Sequence, residues 1–540
     1  MLALLLLALG VVVLLLCPVV AYFQDKNGLR QFPTPSWLAG LTPFWRIYHN
    51  YHLRQFDAIN KAHLRLGPHV RIAPNHLSVA EPEAVDTIYG HGANFLKDVW
   101  YDGGAGASRT MADTRDKAEH QAKRKRMAHL FAYKTLADME PVIADRVQAL
   151  LRATDARARA KALAGRGDSE RAPPFNVRRF VNYFTIDVIT YILFGTPARC
   201  LERGNDTVPA KNPATGRVYT APLIDALHDS MRVAVPIGYV PPSIMWLARL
   251  AARLHPMFRS GERFADIVYH HVTETHAAIR TLPDPGDHAA TAFEEGGFLR
   301  QIMYDKRGQA TGLPLSELLA ECSGMVNAGS DTTSTALANC MYLLSMAQHR
   351  DIRARLQREI DPVFAAAKAE KKANNQTMPL PAYDALANLP FLRACIDETL
   401  RLRPSSAFGL PREVPAGGRY IAGRFVAGGV SVSVPTYSLL HHPAVFAQPG
   451  AYRPQRWTDT PADDPRLARM KKYFLPFSTG PRACIGRNIA YFEMVLVVAA
   501  LVHYFDFGFA EPAVDGTYKV LERLNANPDE LWMYPTRRAV

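Results

Sequence analysis

The chain has 540 residues, of which 48% are hydrophobic and 21% charged, with a formal net charge of +13. That length and apolar content allow a large buried core and exclude a disordered or low-complexity chain. The positive balance suits an acidic partner such as an anionic membrane surface or a protein. With no zinc-finger spacing and no interleaved basic and aromatic motif, no nucleic-acid partner is expected. Six cysteines (Cys17, Cys200, Cys322, Cys340, Cys395 and Cys484) form no C-x-x-C pair. Cys322 and Cys340 fall on one expected helix, roughly 27 Å apart, so they cannot bridge, and the usage fits a reducing compartment.

Residues 1–23 carry no charged side chain, and such a run is long enough to span a hydrocarbon core about 30 Å thick. No Lys or Arg precedes it, which favours an uncleaved anchor over a signal peptide, although the small residues ending at Ala21 would suit cleavage. Between Gln24 and Leu66 stand six basic residues and two acids, so the positive-inside rule leaves the body in the cytosol. Residues 24–40, with "RQFPTPSW", read as a proline-containing linker, and 41–540 as the main body. On that topology the sequons at Asn205 and Asn375 are expected to stay unmodified.

Helical periodicity dominates from about residue 115 to 360. Short strand-like runs cluster at 68–73, 419–426 and 430–434, and 152–174, 281–297 and 365–381 read as surface loops or weak helices. The pattern is mostly α with a small β portion. Without regular βαβ alternation a doubly wound sheet is not expected.

Residues Leu313–His349 read as one helix of roughly 45 Å with Pro314 in its first turn. Its centre, Ala328-Gly329-Ser330-Asp331-Thr332, has poor helix formers. Small residues there serve either a helix–helix seam or the close approach of another body, and the hydroxyls can open the helix locally. An acid beside a hydroxyl inside a core helix, Asp331 and Thr332, can relay protons to a buried centre. Further on, Glu398 and Arg401 share a helix face at i, i+3. Arg456, in "YRPQRW", supplies a second arginine able to close a network on Glu398.

In "LPFSTGPRACIGRN" a single cysteine, Cys484, is held between Gly480 and Gly486, followed by the apolar pattern Ile489, Phe492, Val495, Leu496, Ala499, Val502, which predicts a helix packed on one face. A helix N-terminus there would depress the thiol pKa. Three readings stand: a small core hydrophobe, a nucleophile with no evident histidine partner, or a soft-metal or haem-iron ligand. A single axial thiolate in a shaped loop fits the third best.

Together these motifs resemble the cytochrome P450 monooxygenases. F-x-x-G-x-R-x-C-x-G stands as Phe477, Gly480, Arg482, Cys484 and Gly486; A-G-x-D-T as Ala328, Gly329, Asp331 and Thr332; E-x-x-R and P-x-R-W as Glu398, Arg401 and Arg456. The family's W-x-x-x-R is replaced here by His120 to Arg124. "YGHGANFLKD", "SSAFGLPREVPAGG" and "VSVPTYS" are similar to the fungal benzoate para-hydroxylase group. The resemblance implies the cytochrome P450 fold over 41–540 and a haem b on Cys484. It implies propionate contacts from Arg124, Arg412 and Arg482, with His120 nearby, and a proton relay through Asp331 and Thr332.

It also implies O2 as co-substrate and electrons from NADPH through NADPH-cytochrome P450 reductase. Lys123, Lys125, Arg126, Arg469, Lys471 and Lys472 are the docking candidates. A single-pass endoplasmic reticulum membrane location with a cytosolic body follows. The substrate implied is a small aromatic acid, benzoate giving 4-hydroxybenzoate. Its carboxylate would be met by Ser405, Ser406, Ser330, Arg109 or backbone N–H groups near Phe408–Leu410, and its ring held by Trp100, Phe408 and Leu410. Alternatives are a larger apolar substrate of fungal secondary metabolism or xenobiotic breakdown, a haem-thiolate isomerase or dehydratase needing no reductase, and a haem-binding protein that does not monooxygenate.

Overall fold

The computed structural model describes residues 1, 16–163, 174–282, 296–305, 307–370, 378–510 and 518–540. The fold is mostly helical, as the periodicity indicated. Seven helices position the site: α1 (Lys117–Met127), α2 (Val177–Phe194), α3 (Leu223–Ile237), α4 (Phe258–Thr281), α5 (Leu315–Ser345), α6 (Pro390–Leu402) and α7 (Arg487–Tyr504). The Asp116 side chain caps α1 by accepting from the Glu119 N–H at 2.7 Å, and Arg124, Lys125 and Arg126 occupy its last turn, where they complement the helix dipole. The Asn176 side chain caps α2, which stops at left-handed Gly195.

Five short strands form one sheet: β1 (His69–Ala73), β2 (His76–Val79), β3 (Leu96–Lys97), β4 (Arg412–Glu413) and β5 (Ser431–Ser433), in the order β1-β2-β5-β4-β3. Only β5 against β2 is parallel in it. The three strand-like runs of the sequence are all present, 419–426 as a separate hairpin. The hairpin of β6 (Val520–Glu522) and β7 (Ala526–Pro528) was not anticipated.

Helix α5 is continuous and starts at Leu315, with Pro314 as its N-cap and not inside the first turn. It lies along α2 so closely that a Cβ on Gly329 would stand 2.7 Å from Ile189. Gly329 therefore serves a helix–helix seam. The helix after Cys484, α7, is buried from Ile489 to Tyr504 on every side and not on one face. It has the length and apolarity of a membrane span while lying inside the core.

Residues 2–15 of the expected anchor, the Asn375 sequon and the middles of the three expected loops fall outside the described residues; the helices before two of those gaps run on to Leu163 and Glu370. Residues 24–40 dock on the body: Leu29 and Phe32 are buried in the core around the sheet, and the Arg71 N–H donates to the Pro33 carbonyl at 2.9 Å.

Candidate active site

The cysteine loop is shaped by its backbone. Gly480 has φ +72°, and a Cβ there would lie 1.9 Å from the Tyr89 carbonyl oxygen, so glycine is required. Ser478 takes the left-handed region without being glycine, at φ 57°. The Cys484 N–H donates to the Phe477 carbonyl at 2.9 Å, closing the loop, and the Phe477 ring packs against Tyr491. Gly486 has φ −81° and needs no glycine conformation, and a Cβ there would stand at an ordinary contact distance of 3.9 Å from Sγ.

Cys484 has an exposed face in this recess and protein around the rest. The expected depression of its thiol pKa is reversed: burial pushes it up, and the Gly486 N–H and the charges of Arg124 and Arg487 pull down without prevailing. The physical reason is position, because α7 begins only at Arg487 and the thiol stands short of its first turn.

Cations converge beside the loop. Arg124 donates to the Ala483 carbonyl at 2.8 Å, joining α1 to the cysteine loop. Arg482 donates to the carbonyls of Thr114, Arg115 and Asp116. Arg412 is buried and meets the Tyr101 hydroxyl at 3.3 Å. His120 is buried, and its pKa falls to about 4 through burial first and then the charges of Arg482, Lys97, Arg124 and Arg412.

Lys97 completes the cluster and was missed by sequence reasoning. Burial and the repulsion of Arg412 and Arg482 push it well below the usual lysine range, and its ammonium donates to the Ala112 carbonyl. Arg482 falls to about 10, through burial and then Arg412. Among the described residues none of these five pairs with a carboxylate. Asp113 and Asp116 attract Lys97 and Arg482 without pairing with them, so these cations around a neutral His120 suit an anion from outside the chain.

On α5 the adjacent Asp331 and Thr332 diverge. The Thr332 hydroxyl donates to the Ala328 carbonyl at 2.7 Å, and Ala328 is exposed on that face. Thr332 shares one pocket with Phe477, Pro476 and Ser405, which places it opposite the cysteine loop. Asp331 faces the other way and is buried. It accepts from Arg178 at 3.2 Å and His228 at 3.0 Å on one oxygen, and from Asn525 at 2.9 Å and Asn527 at 2.7 Å on the other. These partners hold it ionised far below the usual carboxylate range, His228 contributing most. None was legible, since each comes from a distant part of the chain. Ser330 is buried with its hydroxyl on Val326, so it is unavailable to a ligand.

The expected ion network forms. The Glu398 carboxylate accepts from Arg401 at 2.9 and 3.0 Å, from Arg456 at 2.9 and 3.0 Å, from Trp457 Nε1 at 3.0 Å and from the Arg453 N–H at 3.0 Å. Arg401 also donates to the carbonyls of Leu440, Pro449 and Ala451. Every charge is answered, so removing one partner would cost about 3–5 kcal/mol by stranding the other.

Four expectations for the substrate and docking residues are corrected. Arg109 is committed to Asp102 at 2.7 Å. Trp100 and Phe408 touch edge-to-face with centroids 5.7 Å apart, leaving no room for a ring between them. Lys123 is buried between Glu317 and Glu321, each at 3.1 Å, and cannot dock a partner. Arg126 is tied to Glu317 at 2.9 Å. Lys125 and Lys471 are exposed, while Arg469 and Lys472 face Glu83 and Asp86 at the surface.

Comparison with known proteins agrees with this geometry. The family profile described as Cytochrome P450 matches residues 31–517. Benzoate 4-monooxygenase bphA of Aspergillus niger is 30% identical over 513 residues, covering 92% of this chain and 91% of that protein. Cytochrome P450 monooxygenase poxM of Penicillium oxalicum is 29% identical, covering 94% and 89%. Cytochrome P450 monooxygenase astJ of Aspergillus oryzae is 30% identical, covering 87% and 84%. The family's haem b fits the residues present: one open thiol for the iron, and for the two propionates a cation cluster with no carboxylate ion-paired to it among the described residues. With its cysteine loop, its cations and its buried Glu398 network in place, the chain belongs to the cytochrome P450 family.

Proposed function

We propose that this cytochrome P450 monooxygenase hydroxylates a small aromatic acid at the ring carbon opposite its carboxylate, converting benzoate to 4-hydroxybenzoate. The observation that carries this reading is the 30% identity to a benzoate 4-monooxygenase across 92% of the chain. When bound, the haem supplies the oxygen-activating redox chemistry, with electrons from NADPH through a reductase. Cys484 would hold the iron; Arg124, Arg412, Arg482 and Lys97 would hold the propionates. Thr332 presents a hydroxyl at the pocket wall and can hold a proton at Oγ1. Asp331, fixed behind it, keeps a permanent negative charge that favours protons on that side of α5.

Residues 1–23 would anchor the body to the endoplasmic reticulum membrane, with 41–540 in the cytosol. Exposed Phe23, Trp37 and Phe44 stand near that end, where aromatic side chains suit a membrane–water boundary. Reductase would dock through Lys125 and Lys471. A second reading, a larger apolar substrate, is favoured by the near-equal similarity to poxM and astJ.

The test is reconstitution with reductase and NADPH, offering benzoate beside larger aromatics, terpenoids and fatty acids. Benzoate should perturb the haem spectrum and yield 4-hydroxybenzoate. If it does neither while a bulkier compound does both, the benzoate assignment is lost.

A further inference from the structure

The β6–β7 hairpin carries an arginine whose guanidinium is left partly unpaired. Its turn residue, Arg523, has a buried Nε with no hydrogen-bond partner. The hairpin itself is firmly held. The Glu522 N–H donates to the Leu53 carbonyl at 2.8 Å, and the Ala526 N–H to the Ser405 carbonyl at 2.8 Å. Ser405 in turn donates to the Thr332 carbonyl at 2.8 Å and lines the same pocket as Thr332. Leu524, the next residue, packs on the cluster of Trp100, Val235 and Phe408 beside Leu410. The turn therefore stands where α3, α5 and the 405–410 segment meet, beside the pocket wall that carries Thr332.

The local charges do not balance. The acid that attracts Arg523 most is Asp331. Yet both Asp331 oxygens are already taken, by Arg178 and His228 on one and by Asn525 and Asn527 on the other. A carboxylate has about four acceptor sites, so none is left. Arg178 and Arg232, the latter on α3, repel Arg523. Burial lowers the His228 pKa against the pull of Asp331, and burial raises that of Glu522 to about 8. Asp331 and, more weakly, Asp529 attract Arg523, while the guanidiniums of Arg178 and Arg232 stand near it as well, so cations remain in excess. This set is separate from the propionate cluster, whose members repel one another beside the cysteine loop.

We propose that Arg523, with Arg232 as its second cation, is the anchor for the substrate's carboxylate. The proposal rests on the aromatic-acid reading above and supplies what that reading lacked once Arg109 and Ser330 proved unavailable. A carboxylate leaving water needs charge-assisted donors, and a guanidinium in a fixed turn offers two parallel N–H groups. Holding the acid at the hairpin leaves the far end of the ring free to face Thr332.

The test uses Arg523→Gln and Arg523→Lys holoprotein, each checked for an intact reduced, CO-bound spectrum. Benzoate, benzamide and methyl benzoate are titrated by haem difference spectroscopy. Arg523→Gln should weaken benzoate on the order of 30- to 100-fold, with the two neutral compounds changed by less than about threefold and Arg523→Lys recovering part of the loss. An unchanged benzoate affinity, or equal losses for all three ligands, overturns the proposal. If Arg523→Gln fails to take up haem, Arg232→Gln is read the same way, and a loss not selective for the anion overturns it. The two readings separate cleanly. Arg523-dependent binding of hexanoate or cinnamate in preference to benzoate keeps the subsite and removes benzoate. Normal 4-hydroxylation with an unchanged KM in Arg523→Gln keeps benzoate and removes the subsite.

Discussion

Neighbouring residues one step apart on α5 do opposite jobs, because a helix turns each side chain about 100° from the last. Thr332 looks into the pocket and Asp331 into a buried polar knot. Removing the Thr332 hydroxyl deletes a bond to a carbonyl that already belongs to the helix, so Thr332→Ala should keep its fold and its haem, losing on the order of 1 kcal/mol. It should lose coupling: less product per NADPH consumed, and more peroxide. If the ratio of product to NADPH matches wild type, Thr332 does not manage protons here. The pair was legible in the sequence as an acid beside a hydroxyl. Its divergence was not, because Arg178, His228, Asn525 and Asn527 converge only after the chain has folded. Lys97 was hidden for a related reason: in "NFLKDVW" it reads as a surface lysine, and only the arrival of Arg412 and Arg482 makes it a member of a cluster.

Long elements with a 3.6-residue period were readable, and so were strands bounded by Gly and Pro, as at 419–426 and 430–434. The β6–β7 hairpin escaped because "VLERLNANP" has neither alternation nor a two-residue glycine turn. Helix α7 was read as one-faced because periodicity cannot register a helix enclosed from all sides. The hairpin makes its own prediction through Glu522. Its Oε2 accepts from the Phe56 N–H at 2.5 Å, and burial raises its pKa to about 8, against about 4.3 in an unfolded chain. The folded state therefore prefers the protonated acid. Its contribution to stability is complete below about pH 4.3 and declines as pH rises toward about 8, where it levels off. Glu522→Gln keeps an acceptor for Phe56 and removes the titration. Thermal unfolding of holoprotein between pH 5 and 9 should show a flatter profile for the variant, with a midpoint above wild type by on the order of a few degrees at pH 8. Parallel profiles would mean that Glu522 is ionised in the native protein.

At the scale of the molecule, the +13 charge announced an acidic partner, and the structure decides which cations remain free to meet it. Lys123 is consumed by Glu317 and Glu321, and the haem-side arginines face inward. Exposed Lys471 lines an open groove with Arg355, Arg487 and the start of the cysteine loop at Phe474–Thr479. An electron arriving in that groove is close to the loop that presents Cys484. Docking by surface charge acts on the rate of encounter and is screened over about 10 Å at 0.1 M salt. Reduction of the holoprotein by reductase, followed by trapping with CO, should therefore slow steeply as ionic strength rises from about 0.05 to 0.3 M. Lys471→Glu should slow it about tenfold at low salt and converge with wild type at high salt, since the lost attraction is the screened one. Substrate-induced spectra should not change in the variant, because Lys471 lies on the groove and not on the pocket that carries Thr332. A reduction rate indifferent to both salt and Lys471→Glu would move the docking face elsewhere and leave the groove without that role.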